Sequence, residues 1–216
     1  AGCRRYLDAI DAARAAVGPA APRVDTLRRF FNHPGFIEAY AACTTKAFER
    51  IDPANREKAA VFFSAHSIPV EMANRCSYVA ELNEASRLIA SACGLSDWEL
   101  AYQSRSGPPS QPWLEPELGE RIVERIQSTD VSDVVVIPVG FVQEHMETVY
   151  DLDIEIAALC NHFDVPFHRV ATPGTSPRFV TMVRELIEER LDDTGARSVA
   201  GELPPAPDEC PDGCCR

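Results

Sequence analysis

Two short runs, "AVFFSA" at 60–65 and "VVVIPV" at 134–139, are apolar at nearly every position and rich in β-branched and aromatic residues. A strand with one wet face alternates polar and apolar side chains. A run of about six residues without that alternation is a strand buried on both faces, and such strands belong to parallel sheets covered by helices on either side. The segments between and after these runs have the helical period. Helices are predicted from about Ser77 to Cys93, from Glu115 to Gln127, through "ETVYDLDIEIAALCNHF" and from Pro177 to Leu191, with further strands at "WELAYQS" and "FHRV". Strands alternating with helices of ten or more residues predict an α/β, doubly wound, Rossmann-like parallel sheet. Two more helical patterns precede it, Arg4 to Val17 ending at "GPAAP" and Pro34 to Arg50 following "FFNHP".

In such a sheet, ligands bind beyond the carboxyl ends of the strands. That rule selects "HSIP" (66–69), "SRSGPPSQPW" (104–113), "GFVQEH" (140–145) and "ATPGTSP" (171–177) as the segments to inspect. "FVQEHMETVYDLDIE", residues 141–155, carries one histidine and five carboxylates directly after a buried strand. If it is helical, Val142, Met146, Val149, Leu152, Ile156, Leu159 and Phe163 form an apolar stripe against the sheet. Glu147, Asp151 and Glu155 then stand at i, i+4 and i+8, along about 12 Å of helix axis. Like charges so spaced cost the helix only about 0.2–0.5 kcal/mol per pair, so the row is compatible with a solvated acidic face. It is equally compatible with a path for a cation or for protons leading from a pocket. His145 falls at the start of that helix or in its stripe. His66 follows "AVFFSA" directly and so shares the sheet edge with Glu147; an imidazole there can hold a metal, move a proton, or simply bond to backbone.

The balance of 21 basic against 33 acidic residues gives a net charge of −12, which argues against a nucleic-acid partner held through its phosphates. No apolar run reaches the roughly 18 residues of a membrane span. Neither is there a signal-peptide pattern at the start, so the expected location is cytoplasmic. The chain begins "AGCRRY" without methionine, as a fragment would, and ends in a Pro/Gly-rich stretch, "ELPPAPDECPDGCCR". There Pro-Asp-Gly is a turn signal that brings Cys210 back toward Cys214 and Cys215. Three thiols in six positions are metal-ligand spacing, and a reduced, disordered tail is the alternative. Cys43, Cys76, Cys93 and Cys160 fall in or near helices, where small buried thiols are common.

"VFFSAHSIP", "YQSRSGPPSQPWLEP", "VVVIPVGFVQEHMETVYDLDIE" and "FFNHP" together resemble the ferrochelatases in their actinobacterial form, over most of residues 1–191. The resemblance implies an enzyme of haem biosynthesis that inserts ferrous iron, as substrate, into a porphyrin, coproporphyrin III or possibly protoporphyrin IX. It implies that His66 and Glu147 face each other across a porphyrin cleft as the catalytic pair and as ligands of the incoming iron. His145, Asp151 and Glu155 would line the proton or metal path, and Trp113 would line the cleft. It further implies a 2Fe-2S cluster on Cys3, Cys210, Cys214 and Cys215, with Cys76 as the fallback fourth ligand; zinc would accept the same thiolates. Three parts are expected: a remnant of an N-terminal half at 1–50, a chelatase domain at 51–191 and a cysteine-bearing tail at 192–216. By itself such a fragment is expected to be inactive, and the assembly to be a monomer or weak dimer. A chelatase for cobalt or another metal and a non-catalytic tetrapyrrole-binding protein remain as alternatives.

Overall fold

A computed structural model describes residues 2–192, 195–210 and 213–214. Helix α1 (Gly2–Val17) leads through an extended segment to α2 (Pro34–Phe48), which opens with His33 as N-cap, its ring nitrogen accepting from the Gly35 amide. Then follow β1 (Ala59–His66), the single turn α3 (Val70–Ala73), α4 (Tyr78–Cys93), β2 (Glu99–Gln103), α5 (Leu118–Ser128) and β3 (Asp133–Ile137). A continuous helix comes next, made of α6 (Met146–Thr148), a π-helical segment (Val149–Ile156) and α7 (Ala157–His162). β4 (Phe167–Arg169) and α8 (Pro177–Leu191) complete the order.

The four strands are all parallel and lie in the order β2-β1-β3-β4. Successive residues of each strand serve opposite faces. Val61, Phe63, Ala65, Val135 and Ile137 pack with α2, α4 and α8 in one buried cluster, whereas Ala60, Phe62, Val134 and Val136 pack with α5 and the long acidic helix in another. The absence of alternation in the sequence is thus the signature of a sheet covered on both sides, as the doubly wound reading requires. Truncating Phe62 or Phe63, 1% and 0% exposed, to alanine is expected to cost about 3–5 kcal/mol.

The strand order reverses between β1 and β3, since the chain passes from β1 outward to β2 and then returns to β3 before moving out to β4. A crevice opens at such a switch point, beyond the strands' carboxyl ends. There Gly140 lies flat on the end of β1: its amide donates to the Ser64 carbonyl at 3.1 Å, and a Cβ on it would stand 2.7 Å from that of Ala65. Only glycine lets the chain leaving β3 approach β1 so closely.

Residues 195–210 form no helix or strand, yet they are tied to the body. Asn32 donates to the carbonyls of Leu203 and Pro204, Ala200 donates to the Asn32 carbonyl, Arg28 reaches the Ser198 carbonyl, and Ala206 is buried. No helix among the described residues is long and apolar enough to cross a membrane.

A candidate active-site cleft at the strand ends

His66 is the last residue of β1, fixed by the Ser67 amide bonded to the Gln103 carbonyl and by the Tyr78 hydroxyl donating to its own carbonyl at 2.9 Å. Its Nδ1 contacts the Ser67 carbonyl oxygen. A carbonyl can only accept, so in the neutral ring Nδ1 carries the proton and Nε2 keeps its lone pair. That Nε2 faces Glu147 Oε1 at 3.9 Å. The gap is too long for a direct hydrogen bond, and both groups remain solvent-accessible, with side chains 32% and 50% exposed. A basic nitrogen and a carboxylate thus flank one point in space, where a proton or a cation can be received.

The cavity beside them has a volume of about 570 Å³ and is lined by residues that include His66, Pro69, Trp113, Glu147, Arg29 and Cys210. That is within the range of roughly 300–1,000 Å³ common for small-molecule sites. Trp113 is held by two backbone bonds that strap its loop to the segment after β1, Leu114 N to Ile68 O and Val70 N to Pro112 O, both 3.0 Å. Its indole N–H is buried and unpartnered.

The acidic helix differs from the expected α-helix. It begins at Met146, with His145 as N-cap: the His145 ring accepts from the Glu147 amide, and Thr148 Oγ1 accepts from the His145 amide. Leu152, Ile156 and Leu159 of the predicted apolar stripe pack on the sheet, but Met146 is 76% exposed and Val149 39%, and Thr148 and Cys160 take the buried places instead. The reason is the coil itself. Val149–Ile156 closes i→i+5 hydrogen bonds, and this wider turn brings residues four apart nearer to one line than an α-helix does. The carboxylate row Glu147, Asp151 and Glu155 has the same spacing as the buried row, so it runs down another side of the same coil. π-helical turns recur at functional sites.

Asp151 accepts from the Ser104 hydroxyl and, at 3.4 Å, from Gln103 Nε2, which lies equally far from the Glu147 carbonyl. Ser104 adopts φ 61°, a left-handed conformation that costs a residue with a Cβ some strain and turns the chain sharply after β2. Sequence reasoning marked this loop but not Ser104 or Gln103, because nothing in their spacing distinguishes them from ordinary strand-end polar residues. Glu155 is exposed, and His145 packs its ring against Phe141 at 4.8 Å; His145, Asp151 and Glu155 do not line the cavity.

Cys210 and Cys214 both line the cavity, as does Cys76, whose thiol donates to the Met72 carbonyl. Cys215 and the side chain of Cys3 lie outside the described residues, and among those described no cluster of three or more His, Cys, Asp or Glu is arranged to hold a metal. The other thiols are structural in character: burial pushes that of Cys160 up to about 11 and raises those of Cys43 and Cys93.

Fold and site together define a doubly wound α/β protein whose strand-edge cleft is bordered by a histidine–carboxylate pair. The ferrochelatase family model matches residues 1–191. A ferrochelatase from Rhodopirellula baltica is 47% identical over 99% of this chain and 61% of its own length. A coproporphyrin III ferrochelatase from Nocardia farcinica is 41% identical over 99% of this chain and 64% of its own. The cobalt-bound sirohydrochlorin chelatase SirB of Bacillus subtilis subspecies spizizenii aligns over 83% of this chain and 61% of its own, with 15% identity and a TM-score of 0.47. The chain belongs to the ferrochelatase family. It spans a little over three fifths of the length of those curated relatives.

Proposed function

We propose that the protein containing this chain inserts ferrous iron into a porphyrin in haem biosynthesis, with coproporphyrin III as the preferred ring. The observation that carries this reading is His66 Nε2, 3.9 Å from Glu147 Oε1, beside a cavity large enough for part of a flat aromatic ligand. Metallation of a porphyrin removes two pyrrole protons and brings in a dication that must shed water. His66 accepts a proton or presents a lone pair to iron, and Glu147 offers the opposing charge. Asp151, held by Ser104 and Gln103, and then Glu155 continue the acidic row away from the pair, giving protons or cations a route to solvent, with His145 at its head. Trp113 supplies an aromatic face for the ring. The choice of coproporphyrin III rests on the name of the Nocardia relative.

On this reading residues 1–50 end an N-terminal half that closes the cleft, residues 51–191 form the chelatase domain and residues 192–216 the cysteine segment. By itself the 216-residue chain is then inactive. The protein acts in the cytoplasm as a monomer or weak dimer.

The decisive assay uses the protein at the full length its gene encodes, following the absorbance of coproporphyrin III and protoporphyrin IX with ferrous iron under anaerobic conditions. Iron insertion, faster with coproporphyrin III, is the expected result. Insertion of cobalt but not iron would replace the metal, and ring binding without insertion of either would leave only a tetrapyrrole-binding protein.

The cysteines form a second part of the proposal, a 2Fe-2S cluster held by Cys210, Cys214, Cys215 and Cys3. The two whose side chains are described suit a thiolate-bound group: both line one cavity and both lie in the field of the Arg29 guanidinium. Such a cluster supplies one-electron redox chemistry and a cross-link between the two ends of the chain. Iron and acid-labile sulfide in equal amounts, with visible charge-transfer absorption, are expected; zinc without sulfide would overturn the cluster.

A further inference from the structure

Gln103 ends β2 beside the last residue of β1: in the parallel ladder it is the register partner of His66, and its carbonyl accepts from the Ser67 amide at 2.8 Å. The residue is 3% exposed, and its side chain crosses to the acidic helix, where Nε2 lies 3.4 Å from both the Glu147 carbonyl and Asp151 Oδ2. A carbonyl only accepts, so the end of the amide that faces Glu147 is its NH2, whose two hydrogens can serve the two acceptors. The other end is isolated: Gln103 Oε1 is buried with no hydrogen-bond partner among the described residues. A buried acceptor left unpaired destabilises a fold. An apolar side chain of the same length would therefore serve stability better at this place, and the use of the amide lies in what its nitrogen holds.

We propose that Gln103 is a positioning residue that sets how far Glu147 stands from His66. The inference rests on reading that pair as the site of iron insertion. At 3.9 Å the pair has no direct hydrogen bond to keep its spacing, so the scaffold must keep it. Gln103 meets both sides of the gap. Its main chain fixes the strand end that carries His66, and its side chain fixes the first turn of the helix that carries Glu147, with Asp151 holding the same amide from four residues on. Reacting groups displaced by about 1 Å can lose about 100-fold in rate. Reach and charge both matter here: asparagine is one methylene shorter, and glutamate would set a carboxylate against Asp151 and the Glu147 carbonyl.

The test is anaerobic iron insertion by the full-length protein and its Gln103→Met, Gln103→Asn and Gln103→Glu variants, with porphyrin binding read by fluorescence quenching. Gln103→Met keeps the length and removes the donor; it is expected to lower kcat about tenfold and to leave KM for the porphyrin within about twofold of wild type. Gln103→Glu should lower kcat further. With Glu147→Gln already present there is no carboxylate to place, so Gln103→Met should then cost less than about twofold more, whereas with Asp151→Asn it should keep its full cost. A merely structural role would lower the folded fraction and add independently to Glu147→Gln. Wild-type kcat in Gln103→Met, a cost that persists in the Glu147→Gln background, or one that vanishes with Asp151→Asn overturns the inference and leaves the insertion reading standing. If Gln103→Met does not fold, Gln103→Asn decides by the same comparisons. A wild-type protein that inserts no metal sinks the insertion reading and this inference with it.

Discussion

Helix α8 and the π-helical segment both carry carboxylates at four-residue spacing, and their surroundings could hardly differ more. On α8, Glu185 is paired with Arg178 at 3.0 Å, and Glu189 is gripped by Arg28 at 2.8 and 3.1 Å and by the Ser198 amide at 2.9 Å. The fully buried His33 sets its Nε2 3.7 and 3.8 Å from the two. On the other row, among the described residues, no lysine or arginine lies within ion-pair distance of Glu147, Asp151 or Glu155; the partners are His66, Ser104 and Gln103. Acid that serves structure is neutralised and bound to its place. Glu147, left without a cation beside a cavity and facing the His66 imidazole, retains the capacity to take a cation or a proton from elsewhere.

This contrast can be broken by mutation. The largest effect is expected at Arg28, whose side chain is 2% exposed: Arg28→Met leaves Glu189 partly buried without its cation and should cost about 3–5 kcal/mol in denaturant unfolding. Iron insertion by any protein that still folds should fall only in proportion to its folded fraction. In the opposite sense, Glu147→Gln in the full-length protein should lower the insertion rate by about 100-fold or more while stability stays within about 0.5 kcal/mol. If that variant is instead destabilised and fully active per folded molecule, the division between the two rows is wrong. His66→Ala should behave like Glu147→Gln, with porphyrin binding, read by fluorescence quenching, retained in both.

A smaller effect is expected farther along the row. Asp151→Asn keeps the bonds to Ser104 and Gln103 but not the charge, and should slow insertion about tenfold, the equivalent of about 1.4 kcal/mol in the barrier. An equal loss in Ser104→Ala would show that positioning of Asp151, rather than its charge, matters.

The smallest is a pH effect on α8. Burial, then the Arg28 charge, holds the His33 pKa below its ordinary value of 6.5 in spite of the two nearby carboxylates. The unfolded chain therefore binds the His33 proton first as pH falls. The resulting stability is fully present above about pH 6.5 and is lost progressively below it, with a slope of at most about 1.4 kcal/mol per pH unit. Glu189 adds to the loss at lower pH: burial pushes its carboxyl up, but the Ser198 amide and Arg28 outweigh burial and leave it below 4.5. Urea unfolding between pH 7 and 5 should show the His33 slope in the wild type and not in His33→Gln.

Strand positions and the helix Pro177–Leu191 were legible because both rest on local periodicity, and the ligand-binding edge followed from the α/β alternation alone. Met146 and Val149 depart from the apolar stripe of the acidic helix, because an α-helical period does not hold in a coil that closes i→i+5 bonds. Periodicity in eight residues is too short to separate the two coils. His66 and Glu147 could be placed on the same edge, but not at 3.9 Å. Ser104 gave no sign of its left-handed φ, and "RRFFNHP" gave none that Arg29 would meet a cysteine.

The sequence by itself thus determined a two-sided parallel sheet, the edge on which its chemistry lies and the residue types available there, since burial on both faces and strand length leave their pattern in the order of amino acids. Tertiary structure alone decided the strand order β2-β1-β3-β4, which sets residue 66 beside residue 147, and the packing of the extended segments that carries Cys210 to Arg29. Contacts between residues so far apart depend on which apolar faces pack together and how closely, as at Gly140 over Ala65, and no local period records that choice.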